Sequence, residues 1–133
     1  MANEKEMQEK AMQIRYMESQ ANLIQQQMLS AEELLISITT AINTVKESKN
    51  AKDQILVPFG AGIFAFSSGI NSEKFLVDIG AGIVIEKTAD EAIEILETRK
   101  KATQDTVGGF ASMLEQIKRS YTEAVEQINH LRG

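Results

Sequence analysis

Residues 55–63 read Ile-Leu-Val-Pro-Phe-Gly-Ala-Gly-Ile, and 75–83 repeat them as Phe-Leu-Val-Asp-Ile-Gly-Ala-Gly-Ile, at an offset of twenty residues. Each copy is a short apolar run, a Gly-Ala-Gly interruption and a second apolar run, Ile63 to Ser67 and Ile83 to Lys87. Two short runs rich in Val, Ile and Phe around a glycine pair predict a β-hairpin, so the middle of the chain reads as two successive hairpins. The stretch from Ser67 to Glu73 links them. Pro58 cannot donate to a ladder and therefore belongs at an edge or a bulge.

Four short strands are too few to bury Phe59, Phe64, Phe66, Phe75 and their aliphatic neighbours. Strand edges this apolar invite another chain to pair with them. The apolar positions Ile55, Val57, Phe59, Ile63, Phe64, Phe66, Phe75, Val77, Ile79, Ile83 and Ile85 are thus expected to serve oligomerisation.

The sequence on either side has a different period. From Met7 to Val45 the apolar residues fall on alternating three- and four-residue steps, the spacing of a coiled-coil seam. With Met7 as a, the a positions are Met7, Ile14, Ala21, Met28, Leu35 and Ile42. The d positions are Lys10, Met17, Ile24, Ala31, Ile38 and Val45, and only Lys10 interrupts the seam.

A second heptad tract opens at Thr88, which with Glu91 three residues later forms a capping-box pattern. Its a positions are Ile93, Lys100, Val107, Leu114, Tyr121 and Ile128, and its d positions are Ala89, Leu96, Thr103, Phe110, Ile117, Ala124 and Leu131. Gly108 and Gly109 each cost a helix about 1 kcal/mol against alanine and predict a soft spot or bend.

The two tracts, about 39 and 43 residues, would make helices of about 58 and 64 Å. Equal lengths, one narrow seam each and a structured connection favour folding back antiparallel over an intermolecular coiled coil.

Composition agrees with this reading. The 133 residues contain one proline and 5% aromatics, as long unbroken helices require. There is no cysteine and a single histidine, His130, which removes disulfide frameworks, cysteine nucleophiles and Cys-type zinc sites. A net charge of −5 argues against nucleic acid and anionic membranes as partners and leaves another protein. No run of about 18 apolar residues or amino-terminal leader pattern is present, so a cytoplasmic location is expected.

The two Gly-Ala-Gly turns resemble the start of a dinucleotide fingerprint, but Ala65 and Ile85 stand where the third glycine belongs, and strand follows instead of helix. Gly82 to Thr88 resembles the tail of a phosphate loop, yet Glu86 precedes Lys87 where glycine is demanded. Carboxylate pairs such as Glu32-Glu33 and Asp90-Glu91 suit solvated helix faces. No catalytic constellation, metal set or cofactor site emerges, so an enzyme is not expected.

Taken together, the first heptad tract, the doubled hairpins ILVPFGAGIFAF and FLVDIGAGIVIEK, and the second heptad tract resemble the alpha-type subunits of archaeal prefoldins over essentially the whole chain. The specific element is the doubled hairpin, since beta-type subunits carry one. The resemblance implies a single domain over 1–133: a coiled-coil helix within 1–50, two hairpins within 54–87 and a second coiled-coil helix within 88–133. It further implies a mainly α fold with a small β part, in which hairpins from two alpha and four beta subunits close into an intersubunit β-barrel.

By the same resemblance, non-native proteins are captured without ATP at the coiled-coil ends and passed to a group II chaperonin. Those ends carry Met7, Met12, Ile14, Tyr16 and Met17 from the first helix, with Tyr121, Val125, Ile128 and Leu131 from the second. Flexible thioethers suit surfaces that accept varied apolar partners, and Met12 (f) and Tyr16 (c) should face solvent. The competing reading is a structural coiled-coil adaptor that binds one specific partner protein.

Overall fold

A computed structural model of the chain describes residues 2–49, 55–68 and 73–133. Helix α1 spans Ala2–Ser48, strands β1 to β4 span Ile55–Gly60, Ile63–Ser67, Phe75–Gly80 and Ile83–Lys87, and helix α2 spans Ala89–Leu131. The order helix, hairpin, hairpin, helix is the one expected from the two sequence periods. Of the linker between the hairpins, 69–72 lie outside the described residues.

Two compact units divide the chain, one made of Met1–Leu34 with Thr103–Gly133 and the other of Leu35–Ala102. In the first unit, one groove is bordered by Glu6 and Lys10 with Glu126, His130 and Leu131, and another by Tyr16 and Gln20 with Gln116 and Ser120. Residue numbers rise along α1 as they fall along α2, so the helices run antiparallel. Among the described residues of this unit, Ile24 and Ala124 are the buried apolar ones. Met7, Ile14, Met17, Ala21 and Met28 are half-buried, as are Val107, Phe110, Leu114 and Ile117.

Lys10 is also half-buried at its d position, where a lysine stem can cover apolar surface while its amine stays wet. Tyr121 departs from the pattern: at an a position it is still 37% exposed. A phenol has reason to do so, because its hydroxyl must reach a partner or water. Helix α2 continues through Gly108 and Gly109 without a break, and a β-carbon added at either would meet nothing within 4 Å.

In the second unit Ile38, Ile42, Ala89 and Ala92 are buried. Lys49, just after α1, forms an ion pair with Asp90 in the first turn of α2. The expected capping box is present: the Thr88 N–H donates to Glu91 Oε1 at 3.0 Å, and the Glu91 N–H donates to Thr88 Oγ1 at 3.1 Å.

The strands form two separate antiparallel pairs, β1 with β2 and β3 with β4. Their registers correspond along the repeat. Leu56 faces Phe66 and Leu76 faces Glu86; Val57 faces Ala65 and Val77 faces Ile85. Both ladders slip at the same place, between Pro58 and Gly60 and between Asp78 and Gly80; Pro58 thus lies at a bulge, and the second ladder makes the same slip without a proline.

Both turns are left-handed at the two loop residues, with φ of 52° and 78° at Ala61 and Gly62 and 53° and 75° at Ala81 and Gly82. Two-residue hairpin loops need this handedness to match the strand twist, and glycine supplies it without a β-carbon. In the second hairpin Asp78 Oδ1 accepts the Gly80 N–H at 2.8 Å, closing the bulge with a side chain.

Candidate interaction surfaces

Cross-strand partners point to the same side of a hairpin, so the ladders sort the strand residues into faces. In the first hairpin Ile55, Val57, Ala65 and Ser67 make a half-buried face. Leu56, Phe64 and Phe66 make the opposite one and are 57%, 58% and 76% exposed. In the second hairpin Phe75, Val77 and Lys87 are half-buried and Ile85 is marginally exposed, whereas Leu76, Asp78, Val84 and Glu86 form the open face.

Of the residues expected to serve assembly, Ile63, Phe64, Phe66, Ile79, Ile83 and Ile85 are exposed, while Ile55, Val57, Phe75 and Val77 are half-buried within the chain. The Phe59 side chain lies outside the described residues. Leu56, Leu76 and Val84 were missed by the sequence reading, yet they are among the exposed large apolar side chains. No alternation could single them out, because these strands are apolar on both faces.

The candidate capture residues divide in a similar way. Met12 and Tyr16 are 69% and 66% exposed, as their f and c positions require. Met7, Ile14, Met17, Val125, Ile128 and Leu131 are half-buried in or beside the seam. Tyr16 accepts a hydrogen bond at its hydroxyl from Gln20 Nε2 at 3.0 Å, which holds the ring beside a groove of about 360 Å³. Met17 and Ile117 line this groove and also a second one of about 270 Å³, on which Tyr121 sits.

Exposed apolar residues extend further along α1, to Leu23, Leu29 and Leu34. Their positions outside a and d were visible in the heptad pattern and would have identified them. His130 is exposed in the last turn of α2 and shares a groove with Glu6, Lys10 and Glu126. Among the described residues, no helix is long and apolar enough to cross a membrane.

These features have counterparts among known proteins. A family model for prefoldin subunits matches residues 17–132. The chain is 34% identical over 119 residues to prefoldin subunit alpha of Archaeoglobus fulgidus, covering 88% of this chain and 87% of that one. With prefoldin subunit alpha of Pyrococcus horikoshii the identity is 30% over 137 residues, 98% of this chain and 90% of the relative.

Its fold is similar to that of a chain in the cryo-EM structure of filamentous PFD from Methanocaldococcus jannaschii. The TM-score is 0.71 at 16% identity, over 85% of this chain and 95% of that one. Two hairpins between two heptad helices, a family match over most of the chain and alpha-subunit relatives over nearly all of it lead to one assignment: the chain belongs to the prefoldin subunit family, chaperone subunits that assemble with one another, and its relatives are archaeal alpha subunits.

Proposed function

We propose that the chain is the alpha subunit of a cytoplasmic, ATP-independent holdase. Its hairpins join those of beta-type subunits, two alpha with four beta, in a β-barrel platform. Non-native proteins are captured at the helix ends farthest in sequence from the hairpins, and the client is passed to a group II chaperonin.

The observation that carries this reading is the exposure of Met12 and Tyr16 outside the seam, at 69% and 66%. Large apolar side chains on a solvated helix face lose water gainfully only when something apolar covers them, at roughly 25 cal/mol per Å². A thioether and a phenol adapt to many shapes, which suits clients that share no structure. The grooves beside Met17, Ile117 and Tyr121 extend the same surface. Each site is weak alone, and several ends acting on one client multiply the affinity.

The test is aggregation suppression by the complex with a beta-type subunit, using several unrelated denatured proteins. Replacing Met12 and Tyr16 by serine should reduce suppression without changing the native mass of the complex. Full suppression by a complex lacking residues 1–17 and 118–133 would overturn the capture assignment. Stoichiometric binding of one partner, with no effect on the other proteins, would replace it with an adaptor.

A further inference from the structure

Charge is spread unevenly around the helix pair of the first unit. From Ser19 to Ala31 helix α1 has no charged residue at any heptad position, although most of these residues are exposed. A solvated helix face ordinarily carries charge. The uncharged surface runs farthest at the g and c positions. On α1 these are Gln13, Tyr16, Gln20, Leu23, Gln27 and Ser30, and on α2 they include Gly109, Met113, Gln116 and Ser120.

Tyr16 and Gln20 border one groove together with Gln116 and Ser120, so the g and c rows of the two helices lie on the same side of the pair. The groove on the other side carries Glu18 and Lys118 instead, and the remaining b and e positions add Arg15, Glu32 and Glu115. Leu23 and Met113 in the uncharged rows are about half exposed, and Tyr16 more so. Gly109 interrupts the α2 row, and a β-carbon there would meet nothing within 4 Å.

We infer that the g and c rows form a docking trough for a third helix, an amphipathic helix of another protein whose own seam is aliphatic and amide-bearing. The trough extends well past the helix ends assigned to capture and accepts a formed helix in place of an unfolded segment.

Period, charge and the glycine each select this occupant. The rows advance by alternating steps of three and four residues, so they make a second seam beside the a and d seam, and a helix keeps register with it where a strand of period two does not. Gln13 to Ser30 spans about 26 Å, the length of a helix of about 18 residues. Glutamine and serine side chains can exchange water for amides on a partner, whereas a charged seam would lose hydration with no opposite charge to meet. Glycine weakens a helix, and nothing in the chain fills the space that Gly109 leaves, but a neighbouring helix can approach closely there.

The probe is a labelled helical peptide of about 21 residues, three heptads, with leucine and glutamine on its seam and lysine and glutamate elsewhere. Fluorescence anisotropy should show it binding the full chain, and circular dichroism should show its helicity retained. Leu23→Glu, Met113→Glu and Gly109→Leu should each weaken binding by about tenfold or more. Leu29→Glu and Gly108→Leu, at b positions on the charged side, should bind as the wild type does. Circular dichroism of each variant checks that the helices remain.

Absence of peptide binding, or equal losses in the Leu29 and Gly108 variants, would overturn the inference. So would equal binding of the same peptide interrupted by a central proline, which would make the occupant an extended segment. Self-association of the chain that Leu23→Glu abolishes would make it a second copy. Failure of capture at the helix ends would leave these results unchanged, because Leu23, Gly109 and Met113 lie outside that assignment.

Discussion

The guanidinium of Arg99, on the exposed side of α2, donates to the backbone carbonyl of Asp78 at 2.5 Å and so ties the helix to the bulge of the second hairpin. The two residues are twenty-one positions apart, and the Asp78 side chain meanwhile accepts the Gly80 N–H. One residue thus fixes the turn locally with its carboxylate and anchors it to the helix with its carbonyl. Arg99→Ala should weaken the hairpin's attachment by about 0.5–1 kcal/mol, a charged hydrogen bond discounted for solvent exposure. Faster amide hydrogen exchange in β3 and β4, with β1 and β2 unchanged, is the expected readout.

The cap of α2 sets a pH dependence. The hydrogen bonds that Glu91 accepts from the Thr88 backbone N–H, with a further contribution from the Thr88 side chain, hold its carboxyl below the usual carboxylate range. A lowered folded-state value means this contribution is fully present above the unfolded value, about 4.3, and is lost as pH falls through the folded one. Glu91→Gln should flatten the stability profile in that acidic window while leaving it unchanged in shape near neutrality. Thermal melts between pH 3 and 7 check this.

Thr88→Ala removes the reciprocal acceptor from the same helix start. Loss of an N-cap hydroxyl costs about 1 kcal/mol. The effect should be visible at all pH values, in contrast to Glu91→Gln, and a lower midpoint in urea at pH 7 is the measurement.

Gly108 and Gly109 sit in unbroken helix with open space where a β-carbon would go. Gly108→Ala and Gly109→Ala should therefore stabilise the chain by about 1 kcal/mol each. A rise in thermal midpoint for both, additive in the double variant, is expected. Destabilisation by either would show that the glycines serve a contact that the isolated chain does not make.

Ala61 and Ala81 hold φ near 52°, a region that costs an L-residue about 1–2 kcal/mol. Ala81→Asn should relieve part of that cost, since asparagine tolerates the left-handed region, and Ala81→Val should worsen it. Exchange rates of the β3–β4 amides should move in opposite directions in the two variants.

By itself the sequence determined the elements and most of the seam, because heptad spacing, turn glycines and capping residues act locally. Ile38 and Ile42 are buried at their heptad positions, Met12 and Tyr16 are exposed at theirs, Thr88 and Glu91 cap each other, and the ladder slips after Pro58. The physical cause in each case lies within a few residues of the effect.

Only the tertiary structure decided what depends on residues distant in the chain. The strands are apolar on both faces, so periodicity could not say that Val57 turns inward while Leu56, Leu76 and Val84 turn outward. Nor could it pair Lys49 with Asp90 or Arg99 with Asp78, or turn Tyr121 partly out of an a position. Those outcomes follow from where the helices pass the hairpins and each other, and that packing is set by the whole chain at once.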